Sequence, residues 1–267
     1  MQYLREYING INENMRLFEG GNIWDDVETN FDPSQVGKPL AATTQKYLNP
    51  LGVKLEVIGS CWQPRYDKDG NVVPSNDLDS MVEQSTLMKN FNTVDAKATR
   101  QALDEYLQKQ GLKTKKAGVT VHTRVPMGDK FYQVDIKVVP NAAKVAQFHR
   151  HDIPKGSPYK GVNKQLVMNA LASSQGMLWS PDEGLYIRDA NGKKSDLLSD
   201  DWDTIAKYLL GQSATGKDLG SVESIMAKIP DNKRREDIMN MARAGHSWQQ
   251  ATPNVTEWFR KAMDMLE

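Results

Sequence analysis

Alternation of apolar and polar positions marks the strands of this chain, and it is clearest in two runs. One covers Val119–Val125 and the other covers Tyr132–Val139. A period of two is typical of a half-buried strand, and the short turn between the runs predicts an antiparallel hairpin. A shorter apolar run, Leu55–Ile58, predicts a further strand. We therefore expect a sheet that is antiparallel at least in part.

Helical spacing of apolar residues surrounds these strands. In the first half of the chain it predicts helices over residues 3–18, Pro39–Leu48 and Thr93–Gln110. Gly111 is a stop signal for the third of these. The face of this helix that we expect to be buried carries Val94, Ala98, Ala102 and Tyr106, with Leu103 and Leu107 beside them.

Helical patterns also dominate the second half of the chain. They predict helices over Val162–Ser174, Asp201–Leu210, Gly220–Lys228, Lys233–Ala244 and Val255–Leu266. Met177–Lys194 predicts a hairpin, Ser221 and Thr252 stand where helix caps are expected, and Trp202, Trp248 and Trp258 are expected in the core. The fold class predicted is α+β. A mixed sheet with packing helices occupies residues 1–140, and a mostly helical domain follows over residues 141–267.

Three aspartates combine strand spacing with metal-ligand chemistry. Asp77 and Asp79 are one residue apart, so on a strand they share a face while Leu78 points into the core. Asp135 lies inside the Tyr132–Val139 run. If the two strands are neighbours, the three carboxylates converge on one surface and repel one another.

Hard divalent cations relieve such repulsion, and Mg²⁺ is held by a few carboxylates together with substrate phosphates. Two ions there, Mg²⁺ or Mn²⁺, would activate an attacking oxygen and stabilise a leaving pyrophosphate. Gly59 and Ser60 follow the first predicted strand. Gly59 would let the backbone approach a phosphate closely, and Ser60 would offer a hydroxyl and an amide.

Plainer interpretations compete at several positions. An Asp-x-Asp in a polar loop is commonly just solvated. The stretch Asp67–Asn71 has the look of a calcium loop but lacks the glutamate at its end, so we interpret it as a hairpin turn. Cys61 is expected to be a small buried residue, and His122 an exposed strand residue rather than a ligand. The basic residues Lys228, Lys233, Arg234, Arg235 and Arg243 indicate either a solvated helix face or a guide for a polyanionic acceptor.

Composition narrows the function further. The 267 residues carry a formal net charge of zero, which disfavours a processive nucleic-acid polymerase but leaves room for brief binding of an RNA end. The single cysteine rules out an internal disulfide and fits a reducing compartment. No apolar run approaches the length of a membrane span, and the N-terminus has no signal-peptide pattern. We expect a cytoplasmic protein with no membrane partner.

The order Gly59-Ser60, then Asp77-x-Asp79, then a lone Asp135 on a later strand resembles the polymerase-beta-like nucleotidyltransferase superfamily over roughly residues 50 to 140. Arg65 is similar to the basic residue in one form of the family's Gly-Ser motif. The gap between Ser60 and Asp77 is long for the family. The layout of the whole chain is similar to nucleotidyltransferase-like proteins of tailed phages, which would place it in the host cytoplasm.

This resemblance implies a magnesium- or manganese-dependent nucleotidyltransferase with a palm-like catalytic domain. Asp77, Asp79 and Asp135 would be the catalytic metal ligands, and Gly59, Ser60 and Arg65 would bind the nucleotide. Lys160 and Lys164 are similar in placement to the basic residue that the family's helical domain offers to a triphosphate; each is equally typical of a solvated lysine at a helix start. The substrate would be a nucleoside triphosphate such as ATP.

Three functional hypotheses stay open at this point. The acceptor of the nucleotide is an RNA end such as that of a tRNA, or it is a protein hydroxyl or a small molecule. The alternative is a catalytically silent protein of this fold, with a binding role or a structural role in a phage particle. The presence of all three acids argues against the silent protein, and the neutral charge favours a protein or small-molecule acceptor mildly.

Overall fold

The computed structural model describes residues 23–150, 152–189 and 191–244. These fall into two compact units, one within Glu19–His151 and the other within Asp152–Glu267. The helices predicted over residues 3–18 and 255–266 lie outside the described residues, as do Thr252, Trp248 and Trp258. The domain division predicted at residue 140 stays a prediction.

The first unit is built on a five-stranded mixed sheet. Its strands are β1 (Glu56–Val57), β2 (Asp77–Glu83), β3 (Lys113–Ala117), β4 (Thr120–Met127) and β5 (Lys130–Val139). They are arranged in the order β1-β2-β5-β4-β3. The β2–β5 pair is parallel and every other pair is antiparallel. The predicted α+β class, the β4–β5 hairpin and the turn at Asp67–Asn71 are confirmed.

Five α-helices accompany this sheet in the described residues. They are α1 (Pro33–Leu48), α2 (Gly59–Trp62), α3 (Gln84–Phe91), α4 (Ala96–Lys109) and α5 (Ala142–His149). The prediction started α1 too late, at Pro39. Asp32 caps the helix by accepting a hydrogen bond from the Ser34 amide at 2.8 Å, which leaves Pro39 inside it.

Four elements of this unit depart from the prediction. Val94 was assigned to the buried face of α4, but it precedes the helix and is 87% exposed. The residues of α4 that are buried are Thr99, Leu103, Asp104 and Leu107. Strand β3 and helix α3 were not predicted at all. Helix α5, which follows Pro140, was not predicted either.

The two faces of the sheet have opposite character. Leu78, Val134 and Ile136 are fully buried on one face. They belong to a core cluster that also holds Leu40 of α1 and Leu103 of α4. The other face carries Asp77, Asp79 and Asp135. The sheet therefore has a helix-covered apolar side and a polar side, as the alternation in β2 predicts.

The second unit combines helices with a small antiparallel sheet. Its helices are α6 (Gly161–Ser173), α7 (Trp202–Leu210), α8 (Val222–Lys228) and α9 (Asn232–Arg243). Its strands are β6 (Met177–Ser180), β7 (Gly184–Arg188) and β8 (Lys194–Ser199). The four helices, a hairpin within Met177–Lys194 and the Ser221 cap confirm the predictions. None of the described helices combines the length and apolar character that crossing a membrane requires.

The burial of Leu78 in β2 predicts that truncating it costs far more stability than truncating an exposed leucine. Leu78→Ala should lower the free energy of unfolding by about 2–5 kcal/mol, because it empties a fully buried position. Leu197→Ala is the control, since Leu197 is 50% exposed and should cost less than about 1 kcal/mol. Urea unfolding followed by circular dichroism measures both. Equal losses for the two variants would contradict the packing described here.

Candidate metal centre

The three aspartates predicted from the sequence lie together on the polar face of the sheet. Asp79 and Asp135 are direct neighbours in the parallel β2–β5 register, and Asp77 is the next residue of β2 on the same face. One carboxylate oxygen of each lies within 4.8 Å of the others. Asp135 is 5% exposed, while Asp77 and Asp79 are half-buried. The strand pairing on which the prediction depended is therefore present.

Crowding of these carboxylates changes their proton affinities. Burial, and after it the negative charges of Asp79 and Asp135, raises the pKa of Asp77 well above its usual value. Burial, and then the charge of Asp135, raises the pKa of Asp79 to about 6. Lys137 and His122 act in the opposite direction on Asp79. A site that resists ionisation in this way gains stability when a cation balances its charge.

A ring of polar partners holds Asp135. His122 Nδ1 and Asp135 Oδ1 are 2.7 Å apart, and the Gln133 side-chain amide donates to the same oxygen at 3.0 Å. The Ser80 hydroxyl donates to the Asp135 backbone carbonyl at 2.9 Å. The expectation that His122 is an exposed strand residue is wrong, since it is 7% exposed and contacts a carboxylate of the site.

Gly59 brings the backbone against the acids. It begins α2 with a φ of 65°, a conformation that strongly favours glycine. A Cβ at this position would lie 2.9 Å from Asp79 Oδ2. The Ile58 amide, one residue earlier, donates to the Asp79 carbonyl at 3.0 Å. The turn from β1 into α2 is therefore fitted to the carboxylate of Asp79, and it has no room for a side chain.

The residues that follow Gly59 have different surroundings. The Ser60 and Ser75 hydroxyls are 2.7 Å apart, and Ser75 also donates to the Asp77 carbonyl at 3.0 Å. Cys61 is buried as predicted. Burial, with the charges of Asp79 and Asp77, raises the pKa of its thiol to about 12, so it stays protonated at neutral pH and is a poor nucleophile.

Arg65 lies at the base of the Asp67–Asn71 turn, where its carbonyl accepts a hydrogen bond from the Val73 amide at 2.8 Å. Its side chain is half-buried, and burial lowers the pKa of the guanidinium. The buried Nε atom has no hydrogen-bond partner in the described part of the chain.

The two predicted lysines belong to the second unit and differ from each other. Lys160 is exposed at the start of α6. Lys164 is 1% exposed, its ammonium lies 5.5 Å from the centre of the Trp202 ring, and burial lowers its pKa to about 7. Lys164 is therefore not the solvated lysine that one interpretation of the sequence allowed. Their nucleotide-binding roles stay predictions.

Helix α5 closes one end of the polar face. Met81 follows Asp79 on the same face of β2 and packs with Ile58 and Val139. Three residues of α5 complete this small apolar cluster, namely Ala142, Val145 and Ala146. At the other end, the Ile23 amide donates to the Gln133 side-chain carbonyl at 2.8 Å. The acids thus occupy the part of the face between these two boundaries.

The donor set fits a divalent cation. It consists of carboxylate oxygens, which Mg²⁺ and Mn²⁺ prefer. Burial first, and the neighbouring carboxylates after it, raises the pKa values of Asp77 and Asp79, and a cation would relieve the repulsion among these carboxylates. Asp77, Asp79 and Asp135 would hold the ion or ions. The geometry thus supports a metal site of three aspartates.

His122 could have been found from the sequence. Gly128-Asp129 forms a two-residue loop in which Met127 pairs with Lys130. Counting back along both strands from such a loop places His122 opposite Asp135. Lys137, which is 7% exposed and lowers the pKa of Asp79, shares the face of Asp135 by alternation. The positive charge of Lys137 was the signal in the sequence for a counter-ion to the aspartates.

The pKa of Asp79 predicts how stability depends on pH without metal. Its value of about 6 in the folded protein exceeds the usual 3.8, so the folded state holds more protons between these values and stability falls as the pH rises. The free energy of unfolding of Asp79→Asn should therefore rise relative to that of the wild type between about pH 4 and about pH 7 in EDTA, by on the order of 1–3 kcal/mol. Added Mn²⁺ should shrink or reverse this gain, because the variant binds the ion less well.

Asp67→Asn is the matched control for this measurement. Hydrogen bonds, first that from the Asn71 side chain, lower the pKa of Asp67, so its contribution is present at neutral pH and disappears as the pH falls through the folded-state pKa. This change lies below the usual value of 3.8, so between about pH 4 and about pH 7 the difference in stability between Asp67→Asn and the wild type should hardly change with pH. Thermal unfolding across this pH range measures all three proteins. A difference between Asp79→Asn and the wild type that does not change with pH would refute the electrostatic account.

Gly59→Ala should damage the metal site more than the fold. The new Cβ would collide with Asp79 Oδ2, so we expect Mn²⁺ to bind at least about tenfold more weakly, a loss of about 1.4 kcal/mol. Gly52→Ala is the control, because Gly52 has a similar φ of 61° but nothing within 4 Å of its Cβ position. Backbone strain of about 1–2 kcal/mol should be common to both variants. Equal Mn²⁺ affinities in calorimetric titrations of the two variants would contradict the fit of Gly59 to Asp79.

Comparison with known families and with curated proteins found no match for this chain. No protein-family model matches the chain, and no curated protein matches it significantly. The structure shows a mixed α+β sheet with a parallel β2–β5 pair and an acidic cluster of Asp77, Asp79 and Asp135.

Proposed function

We propose that this protein is a metal-dependent nucleotidyltransferase. It would move a nucleoside monophosphate from a nucleoside triphosphate to an acceptor hydroxyl and release pyrophosphate. The single observation that carries the proposal is the convergence of Asp77, Asp79 and Asp135 within 4.8 Å on neighbouring parallel strands. The resemblance to the polymerase-beta-like superfamily supports it, because that pattern requires these three acids to meet.

The place of Gly59 gives independent support. In the superfamily pattern the Gly-Ser turn holds the phosphates that leave, so it must lie beside the metal ligands. Here the Gly59 backbone abuts the carboxylate of Asp79. Chance matches of Gly-Ser and Asp-x-Asp in a sequence carry no such requirement of proximity. The contact therefore favours one functional unit over two unrelated short motifs.

The reaction assigns a role to each group. The acceptor oxygen forms a bond to the α-phosphorus, the bond from that phosphorus to the β-phosphate oxygen breaks, and pyrophosphate leaves. Divalent ions at such a site activate the attacking oxygen and neutralise charge on the leaving group. Asp77 and Asp79 would hold the ions. Asp135 would complete the site and accept the proton of the acceptor hydroxyl, while His122 and Gln133 orient its carboxylate.

Nucleotide binding in this proposal involves more of the chain. Gly59 and Ser60 would cradle the β- and γ-phosphates, with Arg65 as a further cationic group. The nucleotide-binding roles of Lys160 and Lys164 are those that the resemblance implies. The donor would be ATP or another nucleoside triphosphate with Mg²⁺ or Mn²⁺. The acceptor would be an RNA end, a protein hydroxyl or a small molecule.

Removal of single acids tests the chemistry. Asp77→Ala, Asp79→Ala and Asp135→Ala should each lower turnover by orders of magnitude, because each would remove a ligand of the catalytic ions. Asp129→Ala is the control, since Asp129 is exposed in the turn of the same hairpin as Asp135. Pyrophosphate release is measured with each nucleoside triphosphate, Mg²⁺ or Mn²⁺, and a cell lysate as the acceptor source.

Two results would overturn the proposal. Undiminished activity of Asp135→Ala would remove that residue from the site. A folded wild-type protein that binds neither metal nor nucleotide and releases no pyrophosphate would indicate the silent protein of this fold. Radioactivity transferred from α-labelled nucleotide then separates RNA, protein and small-molecule acceptors.

A further inference from the structure

The polar face of the sheet carries a gradient of charge across four strands. In register order, Asp79 of β2 lies beside Asp135 of β5, which lies beside His122 of β4, which lies beside Lys115 of β3. The adjacent row on the same face runs from Asp77 through Gln133 and Arg124 to Lys113. Each row thus begins with an acid at β2 and ends with a lysine at the β3 edge.

The orientation of these lysines follows from Thr114, which lies between them. Its hydroxyl donates to the Asp104 carboxylate of α4, on the helix-covered side of the sheet. Because side chains alternate along a strand, Lys113 and Lys115 lie on the opposite side, which is that of the acids. Both lysines are exposed. Lys116 follows Lys115 and belongs to the other face.

Among the described residues, no acidic neighbour neutralises Lys113 or Lys115. The salt bridges of the described residues include neither Lys113 nor Lys115. By contrast, Arg124 of the same face is engaged by Asp26 at 2.6 Å and stacks on the Phe131 ring at 3.3 Å. The cations that this edge leaves for a ligand are therefore the two lysines.

The direction of attack connects this edge to the reaction. Gly59 follows β1, which pairs with β2 on the side opposite β5. If pyrophosphate leaves at Gly59 and Ser60, an in-line attack brings the acceptor from the other side, over β5 and β4. Lys115 lies two strand spacings from Asp135, which is about 10 Å. A strand stacked as in a duplex carries one phosphate per roughly 3.4 Å along its axis, so about the third phosphate from its end would fall there.

Resting on the proposed function, we infer that the acceptor is the hydroxyl end of a single-stranded nucleic acid whose phosphates bind Lys113 and Lys115. A protein hydroxyl or a neutral small molecule carries no phosphates that would bind the two unneutralised lysines on the approach to Asp135. Lysines also protect edge strands from pairing with other sheets. A protective role is served equally well from either face, so Lys116 provides the matched control.

The test compares the double variant Lys113→Ala/Lys115→Ala with Lys116→Ala and the wild type in full-length protein. Binding of short fluorescent single-stranded RNA and DNA is measured by anisotropy between about 50 and about 200 mM salt. Loss of two phosphate contacts should reduce the salt slope, which is the slope of log affinity against log salt concentration, by about 1.4 for a single strand. The increase in affinity from about 200 to about 50 mM salt should therefore be about sevenfold smaller than in the wild type. Lys116→Ala should bind like the wild type, and Lys113→Arg/Lys115→Arg should restore the slope.

Transfer assays complete the test. In the double variant the KM for the oligonucleotide should rise while the KM for the nucleoside triphosphate stays unchanged, and oligonucleotides with a blocked terminal hydroxyl should accept nothing. Comparison of RNA with DNA identifies the sugar that is used. A salt slope in the double variant equal to that of the wild type, or an equal reduction in Lys116→Ala, would overturn the inference.

The outcomes separate this inference from the proposed function. One outcome is transfer to a protein or small molecule that depends on the three aspartates, together with oligonucleotide binding that does not change with salt. This outcome would overturn the inferred nucleic-acid acceptor but would leave the proposed nucleotidyltransferase activity intact. Lysine-dependent binding of oligonucleotides without any transfer would support the surface and overturn the chemistry.

Discussion

The closeness of three carboxylates is the constraint on which the rest of this structure depends. Asp79 and Asp135 are paired directly across two parallel strands, and Asp77 is the next residue on that face. Such neighbours repel one another unless protons or cations balance them, and this repulsion adds to burial, the larger cause, in raising the pKa values of Asp77 and Asp79. A chain that keeps this arrangement gives up stability at neutral pH in the absence of a cation, which is the usual mark of a functional site.

The surrounding residues reduce this repulsion only in part. His122 and Gln133 bind Asp135 through the same carboxylate oxygen, and Lys137 lowers the pKa of Asp79. The opposite face of β2 offsets the stability that is lost through repulsion among the acids, because Leu78 and Val82 are fully buried there. Alternation along one strand therefore separates the residues that hold the sheet together from those that form the site.

Local patterns predicted the parts of this site that depend on one strand or one hairpin. The common face of Asp77 and Asp79 follows from strand periodicity, and the β4–β5 hairpin follows from two alternating runs around a short turn. The same hairpin register places His122 against Asp135, so its assignment as an exposed residue failed only because the register was not counted. The β2–β5 pairing was a condition of the prediction, since no local signal fixes contacts between strands so far apart in the chain.

Other misses have distinct physical causes. Strand β3 reads Lys-Thr-Lys-Lys-Ala, and it lacks an apolar face because it is an edge strand whose lysines are exposed. Helix α5 is short, and its buried alanines gave too little hydrophobic contrast to be recognised. Val94 satisfied the helical period of α4, but the Asp95 cap begins that helix after it. In each case a tertiary contact or a cap outweighed the periodic pattern.

Anomalous diffraction from crystals grown with Mn²⁺ and a non-hydrolysable nucleoside triphosphate tests the central claim most directly. The account predicts two manganese peaks about 3.5–4 Å apart, bounded by Asp77, Asp79 and Asp135, with the terminal phosphates beside Gly59. Manganese peaks elsewhere, with the three carboxylates bound to none of them, would contradict it.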